Sequence, residues 1–159
     1  MQKYGLEDKV TEINRSGVLI AREAVGNDII IAGSIGPLGT KIEPWGPTSI
    51  EEAKEAFCEQ AQALLEGGVD LFVLETFSDI NEIHQAIRAV QGLGQPSIIV
   101  AQMTIDEEGN SLYGTTPEVF TNKLEEWDVQ VIGLNCSVGP AHMHQCIERI
   151  SQRPESFQG

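Results

Sequence analysis

Leu71-Phe72-Val73-Leu74-Glu75-Thr76 is the stretch that decides the fold: four consecutive apolar residues, then a carboxylate and a hydroxyl. A short apolar run without alternation reads as a strand of a parallel sheet, buried on both faces and ending where polarity begins. Just before it, Gly67-Gly68 stops a helix. Just after it, Asp79 and Glu82 cap another, whose apolar stripe is Ile80, Ile83, Ala86, Ile87 and Val90. The local order is helix, strand, helix.

The same unit recurs on either side. Upstream, Thr48 and Glu51 have capping-box spacing at the head of a helix striped by Ile50, Ala53, Phe57, Ala61, Leu64 and Leu65. Before that helix, Ile29-Ile30-Ile31-Ala32 reads as a doubly buried strand, bounded by Gly26-Asn27-Asp28 and by the turn Gly33-Ser34-Ile35-Gly36-Pro37. An amphipathic helix over Leu6 to Ala24 precedes it, with Leu6, Val10, Ile13, Gly17, Ile20, Ala21 and Ala24 on one stripe. Downstream come a strand over Ser97 to Ala101, a helix from Pro117 to Glu125, a strand from Val129 to Leu134, and a helix beginning near Pro140. The tail Ser151 to Gly159 is polar and starts no further strand.

Alternating units of this kind make an α/β fold with a parallel sheet, either a doubly wound open sheet or a (β/α)₈ barrel. No strand-to-helix turn carries a Gly-x-Gly-x-x-Gly phosphate cradle. Ser34, Glu75, Thr104 and Asn135-Cys136 all fall at C-terminal strand ends, which in a barrel converge on one mouth. A full barrel takes about 250 residues and eight units. The expectation is a partial TIM (β/α)₈ barrel of about four βα units, with residues 1–159 forming one domain.

Charge and composition narrow the partners. The 24 acidic against 10 basic residues give a net charge of −14, a field that repels nucleic acid and anionic membrane surfaces and leaves small metabolites. No apolar run approaches the roughly 20 residues of a membrane span, and Met1-Gln2-Lys3-Tyr4-Gly5 lacks the apolar stretch of a signal peptide, so a cytoplasmic protein is expected. The three cysteines, Cys58, Cys136 and Cys146, are an odd number without disulfide-scaffold spacing and are read as reduced thiols.

Cys136 closes a strand just before a helix N-terminus, where amides and the macrodipole favour an anionic sulfur. It could be a zinc ligand, a nucleophile, or a small residue filling the strand end. Cys58 and Cys146 lie inside helices, without Cys-x-x-Cys or His-x-x-x-His spacing, and read as core or surface residues. Glu75 follows four apolar residues and must meet a cation or bear the cost of desolvation, so it either holds a substrate ammonium group or serves as a structural carboxylate. Ser34 is a possible substrate contact, and Gly114-Thr115-Thr116-Pro117 is turn chemistry. His84, His142 and His144 read as surface histidines, and Asp106-Glu107-Glu108-Gly109-Asn110 as an exposed turn without a calcium-loop pattern.

Four segments, Ala32-Gly33-Ser34-Ile35-Gly36-Pro37, Leu74-Glu75-Thr76, Tyr113-Gly114-Thr115-Thr116-Pro117-Glu118 and Gly133-Leu134-Asn135-Cys136-Ser137-Val138-Gly139-Pro140, together resemble the homocysteine S-methyltransferase domain. The resemblance is greatest to the N-terminal module of bifunctional homocysteine S-methyltransferase/methylenetetrahydrofolate reductases. It implies a (β/α)₈ barrel, a zinc cofactor held by three cysteines, and methyl transfer to the homocysteine thiol to give methionine. By the same resemblance Cys136 is one metal ligand, Glu75 a substrate-binding residue for the homocysteine amino group, and Asn135 a supporting neighbour. The methyl donor stays open among methylcobalamin, S-methylmethionine, betaine and a folate-linked source.

The family's first two strands and its terminal Gly-Gly-Cys-Cys segment have no counterpart here, so the chain matches family strands three to six. One trusted ligand falls short of the three or four that zinc needs. The chain alone is therefore expected to be inactive, with open edges that favour self-association or pairing with the remainder of a longer chain. The alternative is a naturally truncated, non-catalytic half barrel acting by self-association or partner binding.

Overall fold

A computed structural model describes residues 5–152; the opening residues 1–4 and the tail 153–159, on which two of the expectations above fall, lie outside it. A 3-10 turn, Glu7–Lys9, leads into α1 (Val10–Val25), followed by β1 (Ala32–Ile35), α2 (Ile50–Gly67), β2 (Leu71–Phe77), α3 (Ile80–Gln91), β3 (Ile99–Met103), α4 (Pro117–Glu126), β4 (Val131–Leu134) and α5 (Pro140–Ser151). The strands form one parallel sheet in the order β1-β2-β3-β4. A helix connects each strand to its parallel neighbour, and crossovers of one hand, right-handed as a rule, put such helices on one face. Among the described strands the order never reverses, as it must in a doubly wound sheet, and the arrangement is consistent with part of a barrel.

The expectation of strands buried on both faces is corrected. Along β1 the pattern is exposed, buried, exposed, buried, and along β3 Ile99, Ala101 and Met103 are buried while Val100 and Gln102 are half-buried. Gly33, Ile35, Phe72, Leu74, Ile99, Ala101 and Met103 face the helices, where Phe57, Ala61, Ile83, Ala86, Ile87 and Val90 complete a closed apolar core. Paired across the register on the other face are Ala32 with Leu71, Ser34 with Val73, and Gln102 with Gly133, and no described element covers them. An apolar run in the sequence cannot distinguish a strand covered on both sides from one whose second face awaits other strands.

Strand positions shift toward the C-terminus. Ile29 and Ile30 are exposed rather than paired, because the ladder begins at Ala32 opposite Leu71. The segment before it is tied by side chains instead: the Asp70 carboxylate accepts from the Ile31 amide at 2.7 Å and from Arg22 at 2.7 Å. These bonds hold the Asp70 carboxyl below its usual range, the amide contributing most. Ser34 and Ile35, read as a turn, belong to β1, and β3 extends to Met103 for the same pairing reason.

The cap of α2 lies one residue later than expected, and that of α3 lacks its expected glutamate. Ser49 and Glu52, not Thr48 and Glu51, form the capping box of α2; the Ser49 hydroxyl accepts from the Glu52 amide at 3.2 Å, and the Glu52 carboxylate accepts from the Ser49 amide at 2.8 Å. Asp79 caps α3 by accepting from the Asn81 amide, while Glu82 turns away to accept from the Leu38 amide at 2.8 Å. That bond fastens the loop after β1, and burial raises the Glu82 carboxyl above its usual range. Gly67 is where α1 crosses α2, since a Cβ there would stand 2.8 Å from Cβ of Val18.

Candidate functional site

The C-terminal ends of the four strands bring Ser34, Glu75, Thr76, Thr104, Asn135 and Cys136 to one side of the sheet, as the sequence implies for a barrel mouth. The Ser34 hydroxyl, on the bare face, donates to Oε1 of Glu75 at 2.5 Å and links the tips of β1 and β2. Among the described residues Glu75 makes no ion pair with Lys, Arg or His. The basic neighbour that a structural carboxylate would pair with is therefore not found among the described residues, and the half-buried carboxylate keeps acceptor capacity beyond its bond from Ser34.

Glu75 and Thr76 occupy a β-bulge. Leu74 pairs with Ala101 and Phe77 with Met103, so two residues of β2 stand opposite the single Gln102 of β3. Thr76 has φ 69°, a left-handed conformation that costs a β-branched residue on the order of 1–3 kcal/mol and is kept where the surroundings impose it. In an unbroken strand Glu75 and Thr76 would point to opposite faces; the bulge keeps both out of the buried core that takes Leu74 and Phe77.

Asn135 imposes the conformation. Its carbonyl Oδ1 accepts from the Thr76 amide at 2.9 Å, and its Nδ2 donates to the Thr76 hydroxyl at 2.8 Å. These bonds bridge the tips of β2 and β4 across the end of β3, which itself holds Asn135 through the Met103 carbonyl and the Thr104 hydroxyl. Cys136 follows in the left-handed region at φ 64° with its side chain exposed, and Sγ lies 3.5 Å from Asn135 Nδ2 and 3.8 Å from the Thr76 hydroxyl. Sequence reading singled out Asn135 and Cys136 but passed over Thr76, for which the motif Leu74-Glu75-Thr76 was the available signal.

The other candidates are placed apart. Cys146 is 2% exposed in the core, where burial pushes its thiol up, and Cys58 is half-buried on α2. His142 and His144 are exposed, His144 near Glu148 at 3.7 Å. His84 corrects the surface reading: its ring stacks on Trp127 at 3.7 Å and 4°, because α3 packs against the end of α4. Thr116 and Pro117 open α4, and the Asp106 carboxylate closes its turn by accepting from the Glu108 and Asn110 amides. Cys136 is a thiol donor suited to zinc, but no group of three His, Cys, Asp or Glu side chains converges among the described residues. They supply part of a metal site at most. No described helix is long and apolar enough to cross a membrane.

Similar proteins bear on this arrangement. Methionine synthases of Mycobacterium tuberculosis and Mycobacterium leprae are each 29% identical over 160 residues, covering 94% of this chain and 13% of their own length. The chain thus spans a small part of these relatives. The apo crystal structure of the homocysteine methyltransferase MmuM from Escherichia coli superposes with a TM-score of 0.65 at 22% identity, over 86% of this chain and 49% of that one, a likeness of fold. The family described as homocysteine S-methyltransferase matches residues 1–158, and the chain belongs to that family.

Proposed function

We propose that the chain is the central part, family strands three to six, of a (β/α)₈-barrel homocysteine S-methyltransferase, and that it contributes a substrate-binding carboxylate and one zinc ligand to the active site. The observation that carries this reading is that Glu75, without an ion pair among the described residues, and the exposed thiol of Cys136 both stand at the C-terminal strand ends of a chain of this family.

Glu75, oriented by the Ser34 hydroxyl, receives the ammonium group of homocysteine and fixes the substrate. Cys136 offers its sulfur as one donor of a zinc site completed by residues other than those described. Zinc, when bound, lowers the pKa of a coordinated thiol and so makes a thiolate nucleophile accessible at neutral pH. Asn135 holds the strand end that presents Cys136. The bare sheet face is read as the barrel interior, covered in the working protein by the remaining strands.

The test uses the intact protein from its source cells. Cys136→Ala is expected to remove stoichiometric zinc, and Glu75→Gln to raise KM for homocysteine by roughly 10-fold or more, the scale of one charge-assisted hydrogen bond. Retained zinc in the first variant sinks the ligand role, and an unchanged KM in the second sinks the ammonium role. The isolated 159-residue chain is expected to neither hold zinc tightly nor methylate homocysteine; stoichiometric metal with turnover there overturns that part.

A further inference from the structure

We propose that Thr76 is a positioning residue whose hydroxyl, clamped to the Asn135 carboxamide, fixes the direction in which the Cys136 thiol points into the mouth. The proposal rests on the reading of Cys136 as a site residue and adds a residue to that site.

The backbone around Cys136 is already held on both sides. The Asn135 amide donates to the Met103 carbonyl at 3.2 Å, the Asn135 carbonyl accepts from the Thr104 hydroxyl at 3.2 Å, and the Cys136 carbonyl accepts from the Val138 amide at 2.8 Å. What remains undetermined is rotation about the Cα–Cβ bond of Cys136, and that rotation alone decides where the sulfur points. A carboxamide nitrogen carries two protons. One from Asn135 goes to the Thr76 hydroxyl at 2.8 Å, and the nitrogen also lies 3.5 Å from Sγ. With its oxygen accepting from Asn135, the Thr76 hydroxyl keeps its own proton for Sγ at 3.8 Å. Two donors therefore approach the sulfur, and each is oriented by the other.

The bulge makes this possible. Without the extra residue in β2, the side chain at position 76 would face the helices, and the strained φ of 69° is held by the bond from the Thr76 amide to Asn135 Oδ1. A hydroxyl is the part of the side chain the clamp uses. Valine has the same shape without it, and serine has the hydroxyl without the branch.

The test is nuclear magnetic resonance of the intact protein, purified and stripped of metal, reading the three-bond Hα–Hβ couplings of Cys136, with Cys58 as internal reference. The wild-type chain is expected to show a single-rotamer pattern, Thr76→Val to lose it to averaged couplings, and Thr76→Ser to restore it, with Cys58 unmoved throughout. Thr76→Ala should average like valine and serves where the valine variant fails to fold. Wild-type couplings in both hydroxyl-free variants overturn the proposal; so do averaged couplings in the serine variant, or an equal change at Cys58. Because no metal is present, these couplings report on the clamp even where Cys136→Ala retains zinc and the ligand reading has failed.

Discussion

The two faces of the sheet differ more than any other two regions of the molecule. Toward the helices, Ile35, Leu74, Phe77, Ala101 and Met103 are fully buried, and the side chains are apolar. On the opposite face stand Ser34, Glu75 and Gln102, with Ala32 and Val131 exposed. The first face is where apolar area leaves water and stability arises. The second contributes little to folding of these residues, which leaves its side chains free to be chosen for chemistry. The two faces differ because successive residues alternate sides, and the bulge at Glu75-Thr76 is the one described place in β2 where the alternation is broken.

The largest effect should come from the covered face. Phe77 is fully buried and its ring lies 5.9 Å from that of Phe57, so Phe77→Ala should cost about 3–5 kcal/mol in denaturant unfolding. A loss below about 1 kcal/mol would break the contrast.

A smaller, pH-dependent effect is expected at the seam between α3 and α4. Burial first, then the positive charges of Arg88 on its own helix and Lys123 on α4, hold the His84 imidazole below its usual pKa, with Glu126 opposing. Lys123 also lies over the Trp127 ring at 5.7 Å. The folded state therefore binds this proton less readily than the unfolded one. The contribution is fully present above the ordinary histidine value of about 6.5 and is lost as pH falls below it toward the folded pKa. Comparing melting of wild-type and His84→Gln chains between pH 7.5 and 5 should show the wild type losing more on acidification. Parallel curves would remove His84 from the account.

The smallest effect belongs to the bare face. Gln102→Ala should change unfolding free energy by no more than about 0.5 kcal/mol, as for an uncovered position. A cost comparable to that of Phe77→Ala would mean that this face is packed in solution, by a second copy or another partner, and would sharpen the question of what covers it.

Much of this could be read from the chain of residues alone. Apolar runs and helical stripes indicated the alternation of strands and helices; in α1, however, only Val18 is buried, and Ile13 and Ile20 of the expected stripe are exposed. Gly67-Gly68, Pro117 and Pro140 marked helix ends through their backbone chemistry. Polar residues following apolar runs located the C-terminal ends of the strands, and the four motifs around Ser34, Glu75, Pro117 and Cys136 identified the family. Other features depend on contacts between segments far apart in the chain. Register moved β1 from Ile29 to Ala32, because pairing with Leu71 rather than hydrophobicity sets where a ladder begins. Packing turned His84 from solvent onto Trp127, and strand order left one sheet face bare. The bond between Thr76 and Asn135 spans 59 residues and requires both the bulge and the left-handed turn at Thr76. Local sequence specifies which residues are polar or apolar, but the direction a side chain faces at a strand end is set by the neighbours that tertiary folding brings to it.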